Sequence, residues 1–138
     1  MSTAEASVLE AGPVSVIEFP SGLPGFPGIT RFELAPIPDL LPFHKLRAVD
    51  LEGLEFVVVP PGRLFPDYAV RVEGDDALLL GLERPDDALI LLLVTVPEPP
   101  GLPSANLLGP IVVNPSAGLA AQVVQHGTDY GVSVALRA

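Results

Sequence analysis

Cysteine is absent from these 138 residues, which removes disulfides, iron–sulfur clusters and thiolate zinc sites from consideration. Basic residues are scarce. Seven Lys and Arg stand against seventeen Asp and Glu, a formal charge of −10. Such a field repels a phosphate backbone, so no direct nucleic-acid partner is expected. The same charge serves either solubility or an acidic face that draws a basic partner, and composition does not separate the two. Long apolar runs are also lacking. The most continuous, Ala88 to Val94, extends past Thr95 only to Val96, well short of the roughly 20 residues of a membrane helix. No membrane segment is predicted. A basic secretory leader is not seen either: Glu5 and Glu10 precede the first cation, Arg31, so the expected location is the cytoplasm.

Catalytic and metal-binding patterns are equally sparse. His44 and His126 are the only histidines and lie far apart, so no i, i+4 zinc pair exists, and a surface or structural role suits each better. None of Ser21, Ser104, Ser116 and Ser133 sits in a G-x-S-x-G elbow, and no phosphate-cradling glycine loop occurs. The acid pairs Asp75–Asp76 and Asp86–Asp87 lack the spaced oxygen ligands of an EF-hand loop. Helix capping and turn formation account for them more simply, while their shared negative field remains available for docking. No cofactor, no metal and no enzymatic activity are expected.

What the chain does have is punctuation. Seventeen Pro and thirteen Gly cut the apolar segments into short pieces without a repeat period, a pattern that disfavours long helices. Arg31 to Ala35 alternates with Phe32 and Leu34 on one side, as a half-buried strand does. Val14 to Phe19, Leu54 to Val59 and Tyr68 to Val72 read similarly. Leu89 to Val96 and Ile111 to Val113 are continuously apolar, which predicts central strands covered on both faces. Leu119 to Val124 and Val132 to Leu136 are predicted to pair through the turn at Gly127 to Asp129. One short helix fits Ala77 to Leu80, with Gly74, Asp75 or Asp76 as its cap and Gly81 as its stop. The fold class is therefore all-β: a compact antiparallel barrel or sandwich with one or two short helices, since closure protects strand edges. Residues 1–12 read as a flexible tail and residues 13–138 as a single domain, monomeric when free.

Two turn-rich segments carry aromatic residues. In Ser21 to Phe26, Leu23 and Phe26 need apolar cover, which core insertion supplies better than ligand contact. In Phe65-Pro66-Asp67-Tyr68, the Tyr68 ring either buries at a strand start with its hydroxyl outward or faces a partner.

Six collinear pieces are similar to the FliW family of flagellar assembly factors: FPSGLPGFPGITRFEL (Phe19 to Leu34), PFHKLRAVD (Pro42 to Asp50), LEFVVVPP (Leu54 to Pro61), LFPDYAVRV (Leu64 to Val72), LILLLVTVPE (Leu89 to Glu98) and NLLGPIVVN (Asn106 to Asn114). Each alone is a strand and a turn; their order and spacing make the resemblance specific from about Val14 to Tyr130. The chain departs from the family pattern at Lys45, Pro61 and Gly109. The resemblance implies a barrel-like protein that binds flagellin and the RNA-binding translational repressor CsrA in alternation, coupling flagellin synthesis to export. Polar residues interrupt apolar strands where the likeness is closest. Phe65, Asp67, Tyr68, Asn106 and Asn114 are accordingly expected on a partner-binding face or in the turns that shape it. The acids Asp75, Asp76, Asp86 and Asp87 are expected to steer a basic partner such as CsrA. The competing readings are a small-ligand-binding barrel, which needs an enclosed cavity with converging polar groups, and a generic protein-interaction module, which needs an exposed apolar groove rimmed by charge.

Overall fold

A computed structural model describes residues 15–62 and 64–136; the expected tail at residues 1–12 lies outside them. Nine strands form: β1 (Ser15–Glu18), β2 (Arg31–Pro36), β3 (His44–Ala48), β4 (Glu55–Val59), β5 (Leu89–Thr95), β6 (Ser104–Ala105), β7 (Ile111–Asn114), β8 (Leu119–Gln122) and β9 (Val134–Ala135). Seven of them run in the ring order β4-β3-β2-β1-β8-β7-β5, and β5 pairs back to β4, so the sheet closes into a barrel. Closure leaves no free edge within the ring. All ring contacts are antiparallel except the seam between β1 and β8, a single parallel pairing of Glu18 with Leu119. β6 and β9 form a short flap that continues the far end of β5.

The period of two fixes what the barrel holds. Phe32 and Leu34 of β2 point inward, as their alternation predicts, and meet Ile17, Phe19, Leu46, Val58, Leu91, Ile111, Val113 and Ala120 in the interior. Phe19 stands edge-on to Phe32 with ring centres 5.2 Å apart, the geometry that aromatic quadrupoles favour. Leu23, carried by the Ser21–Phe26 turn, is buried in the same cluster, and Phe26 packs edge-on against Phe56 at 6.4 Å. β3 follows the same alternation. His44, Leu46 and Ala48 are buried while Lys45 and Arg47 lie on the outer side, bracketing Glu55 of β4 at 3.7 and 3.9 Å.

β5 and β7 are continuously apolar because both of their faces are covered. Ile111 and Val113 face the interior, whereas Val112 faces outward into a second cluster with Leu80, Ala121 and Val123. The outer cover is a belt, residues 64–88, which contains the helix α1 (Gly74–Leu80) and a 3-10 turn at Pro85–Asp87. Val70, Val72, Leu82 and Ala88 of the belt pack onto that second cluster. A third cluster, Val59, Leu92, Ala105 and Leu107, is covered by Phe43, Leu64, Phe65, Tyr68, Tyr130 and Val134.

α1 ends where expected. Gly81 adopts φ 67°, a left-handed conformation that costs glycine nothing, and returns its N–H to Leu78 while Leu82 N–H reaches Ala77 O. Its start differs from expectation. The N-cap is Glu73, no side chain caps the helix, and Asp75 and Asp76 lie in its first turn, where they face the positive end of the helix dipole. Two further expectations are corrected. Tyr68 to Val72 is not a ladder strand, since no other strand lies beside it. Leu119 to Val124 and Val132 to Leu136 do not pair with each other: β8 is taken by β1 and β7, and β9 pairs with β6.

Candidate functional site

The two sequence segments singled out for a partner-binding role meet at the belt. Leu64, Phe65, Pro66, Asp67 and Tyr68 line an open cleft of about 280 Å³ together with Leu107 and Tyr130. Tyr68 joins the two sides of this cleft. Its ring lies against Tyr130 with centres 4.7 Å apart, and its hydroxyl donates to Leu107 O. Burial first, and the neighbouring Tyr130 second, push the Tyr68 phenol up to about 12. Of the two placements open to Tyr68, the structure departs from a buried ring with its hydroxyl outward: the ring is half-buried on the cleft wall and the hydroxyl is bonded to Leu107 O.

Asn106 and Asn114 do not line the cleft. Asn106 Oδ1 accepts from the N–H groups of Leu108 and Gly109 at 3.0 and 2.9 Å, closing the turn that presents Leu107. Asn114 is buried; its Nδ2 donates to Leu80 O at 2.8 Å and Gly81 O at 3.3 Å, and its Oδ1 accepts from Ser116 N–H. It ties the C-terminus of α1 to β7. Both asparagines therefore sit in turns and joints. Gly109 lies beside the Gln122 side chain. A Cβ there would stand 2.7 Å from Gln122 Nε2, which donates to Gly109 O.

The acids form a separate field on the belt. Asp75 is exposed and Asp76 half-buried in α1, while Asp86 is exposed and Asp87 half-buried in the 3-10 turn. Arg71 meets Glu73 at 3.7 Å and Arg84 meets Asp86 at 3.9 Å, both at exposed positions, where such pairs contribute about 0–1 kcal/mol. Leu78, 81% exposed, stands on α1 amid these carboxylates. Among the described residues no group of three or more His, Cys, Asp or Glu is arranged to hold a metal ion. His44 is fully buried with Nδ1 2.8 Å from Pro42 O, a structural placement, and His126 is exposed.

Leu64, Leu107, Tyr130 and Gln125 belong to this region without having been picked out in the sequence. Tyr130 had one signal, a lone aromatic in the polar stretch Gly127 to Gly131. Gln125 had none, yet its side-chain amide accepts from Arg71 N–H at 2.8 Å and donates to Arg71 O at 3.0 Å. What the arrangement offers is apolar and aromatic contact beside carboxylate charge.

Fold and site together define a small closed β-barrel wrapped by an external belt that presents an open aromatic cleft beside an acidic helix. The chain belongs to the FliW protein family, whose model matches residues 1–136, beyond the stretch spanned by the six motif pieces. It is 38% identical over 124 residues to the flagellar assembly factor FliW of Natranaerobius thermophilus, covering 88% of this chain and 82% of that protein. To the Bacillus subtilis protein of the same name it is 36% identical over 115 residues, covering 83% and 80%. A crystal structure of the flagellar assembly factor FliW superposes with a TM-score of 0.83 at 29% identity, covering 89% of this chain and 86% of that one.

Proposed function

We propose that this chain is a flagellar assembly factor that binds flagellin in the cytoplasm and, when flagellin has been exported, binds and antagonises the translational regulator CsrA. It works without cofactor or catalysis, as a monomer and as one domain over residues 13–138. Family membership supports the role in flagellar assembly. The observation that carries the binding mode is the open, aromatic cleft at Tyr68 and Tyr130 with Asp67 on its wall. Exposed apolar surface rimmed by charge marks a protein-interaction site more than a ligand cavity, which would be enclosed. No helix among the described residues is long and apolar enough to cross a membrane.

The acidic field on α1 and the following turn supports a steering role toward a basic partner. Rim charges raise association rates and are screened over about 8 Å at physiological salt, whereas buried apolar contacts set lifetimes. Stopped-flow binding of purified flagellin and of purified CsrA across a salt series tests both parts. The wild type is expected to bind each, with CsrA association slowing as salt rises. The variant carrying Asp75→Asn, Asp76→Asn, Asp86→Asn and Asp87→Asn is expected to associate more slowly with CsrA, by about tenfold at low salt, with little change in dissociation. Binding to neither protein defeats the proposal; salt-independent association with CsrA removes the steering part.

A further inference from the structure

Residues 68–72 have the burial alternation of a strand but none of its ladder. Tyr68, Val70 and Val72 are half-buried and Ala69 and Arg71 exposed. In an extended chain the N–H and C=O of alternate residues leave by opposite edges. One edge of this segment is held by side chains. Tyr130 Oη accepts from Ala69 N–H at 3.1 Å and donates to Ala69 O at 3.2 Å. Gln125 does the same for Arg71 at 2.8 and 3.0 Å, its amide copying the paired hydrogen bonds of a neighbouring strand. Across the other edge, the N–H and C=O of Val70 and Val72 make no hydrogen bond among the described residues. That edge borders a cleft of about 430 Å³ walled by Pro61, Val70, Val72, Ala88 and Ile90, with Glu73 and its ion-pair partner Arg71 at the end nearest α1.

We propose that the free edge at Val70 and Val72 is a β-augmentation site that takes an extended, basic and apolar segment of a partner protein as an added strand. Backbone pairing at these two residues sets the register. Pro61, Ala88 and Ile90 receive alternate apolar side chains, and Lys or Arg at the end nearest α1 meets the carboxylate of Glu73. Charge selects the occupant. The whole chain carries −10, and only Arg71 and Arg84 offset the acids from Glu73 to Asp87, so a second copy of this chain or an acidic strand is repelled. Strand addition to an exposed edge draws its affinity from main-chain hydrogen bonds and its selectivity from alternate side-chain pockets.

Amide hydrogen exchange of the full chain, read by NMR, tests it. In the free protein Ala69 and Arg71 are expected to be protected and Val70 and Val72 to exchange freely. The probe is acetyl-Lys-Val-Thr-Val-Lys-Val-Lys-amide at millimolar concentration, which is expected to slow exchange at Val70 and Val72 by about tenfold or more. The same peptide N-methylated at alternate residues, which lacks the pairing N–H groups, is expected to give no protection, and its counterpart with Glu in place of Lys to give markedly less. Four results overturn the proposal. They are protection of Val70 and Val72 in dilute free protein, protection that grows with protein concentration alone, no protection by the basic peptide, and equal protection by the N-methylated one.

Discussion

The barrel interior and the belt are both packed by apolar side chains against the same strands, but their backbones are fastened differently. Inside, Phe19, Phe32, Leu34 and Leu46 are fully buried, and every strand of the ring hydrogen-bonds to a neighbour on each side. Outside, residues 64–88 contribute no strand, and their backbone is fastened by side chains reaching from distant sequence: Tyr130 on Ala69, Gln125 on Arg71, Asn114 on Leu80. An apolar interior is cooperative, since removing one ring leaves a void that its neighbours fill only in part. A clipped belt is modular, because each clip carries its own segment. Such a belt keeps backbone groups and apolar side chains open to a partner without weakening the closed sheet beneath it.

The largest expected effect tests the interior. Phe32 touches Phe19 and Phe56, with ring centres 5.2 and 6.3 Å away. Phe32→Ala is expected to cost about 3–5 kcal/mol, read as a lower urea midpoint with one cooperative transition. A cost no greater than that of losing a single clip breaks the comparison between the two regions.

Gln125→Ala tests the belt. Gln125 is buried and its side chain makes three hydrogen bonds, two to Arg71 and one to Val123 O at 3.1 Å. Its loss is expected to cost about 1–3 kcal/mol. The distinguishing readout is local: exchange at Arg71 N–H accelerates far more than at Phe32 or Val113. Uniform acceleration across barrel and belt would show that the two regions unfold as one and that the belt is not modular.

The same contrast explains what the sequence allowed one to read. Barrel strands announce themselves by period two, as in Phe32 and Leu34, or by unbroken apolar runs where both faces are covered, as in Ile111 to Val113. β3 is not legible as a strand, because His44 holds an inward position where the alternation calls for an apolar residue. The all-β class and the helix stop at Gly81 were legible because they depend on local chemistry. Tyr68 to Val72 had a strand's alternation without a strand's partners, and partners at Gln125 and Tyr130 are more than fifty residues away. For the site, the resemblance drew attention to Phe65, Asp67 and Tyr68, which the structure gathers in one cleft. It also drew in Asn106 and Asn114, whose polarity among apolar neighbours reflects turns that need an acceptor. Closure of the ring by β4 on β5 depends on pairing between segments more than thirty residues apart, which no local pattern encodes.

The smallest expected effect sharpens the comparison where belt and flap meet. Tyr68 donates to Leu107 O and packs on Tyr130, so Tyr68→Phe keeps the ring contact and removes one hydrogen bond. At neutral pH this is expected to cost about 1 kcal/mol. The alkaline limb tells more. An unperturbed tyrosine ionises near 10.0, whereas burial and then Tyr130 push the folded Tyr68 up to about 12. Below pH 10 the phenol is neutral in folded and unfolded chains alike, and its contribution is present in full. As pH rises from 10 toward 12 the unfolded chain ionises first, proton release favours unfolding, and the contribution is lost. Urea midpoints of the wild type are therefore expected to fall across that window more steeply than those of Tyr68→Phe, with the two curves drawing together as pH rises. Parallel curves would mean that the Tyr68 hydroxyl is as well solvated in the folded protein as in the unfolded one. The cleft wall would then be a mobile surface loop and not the fixed, half-buried platform that its contacts with Leu107 and Tyr130 describe.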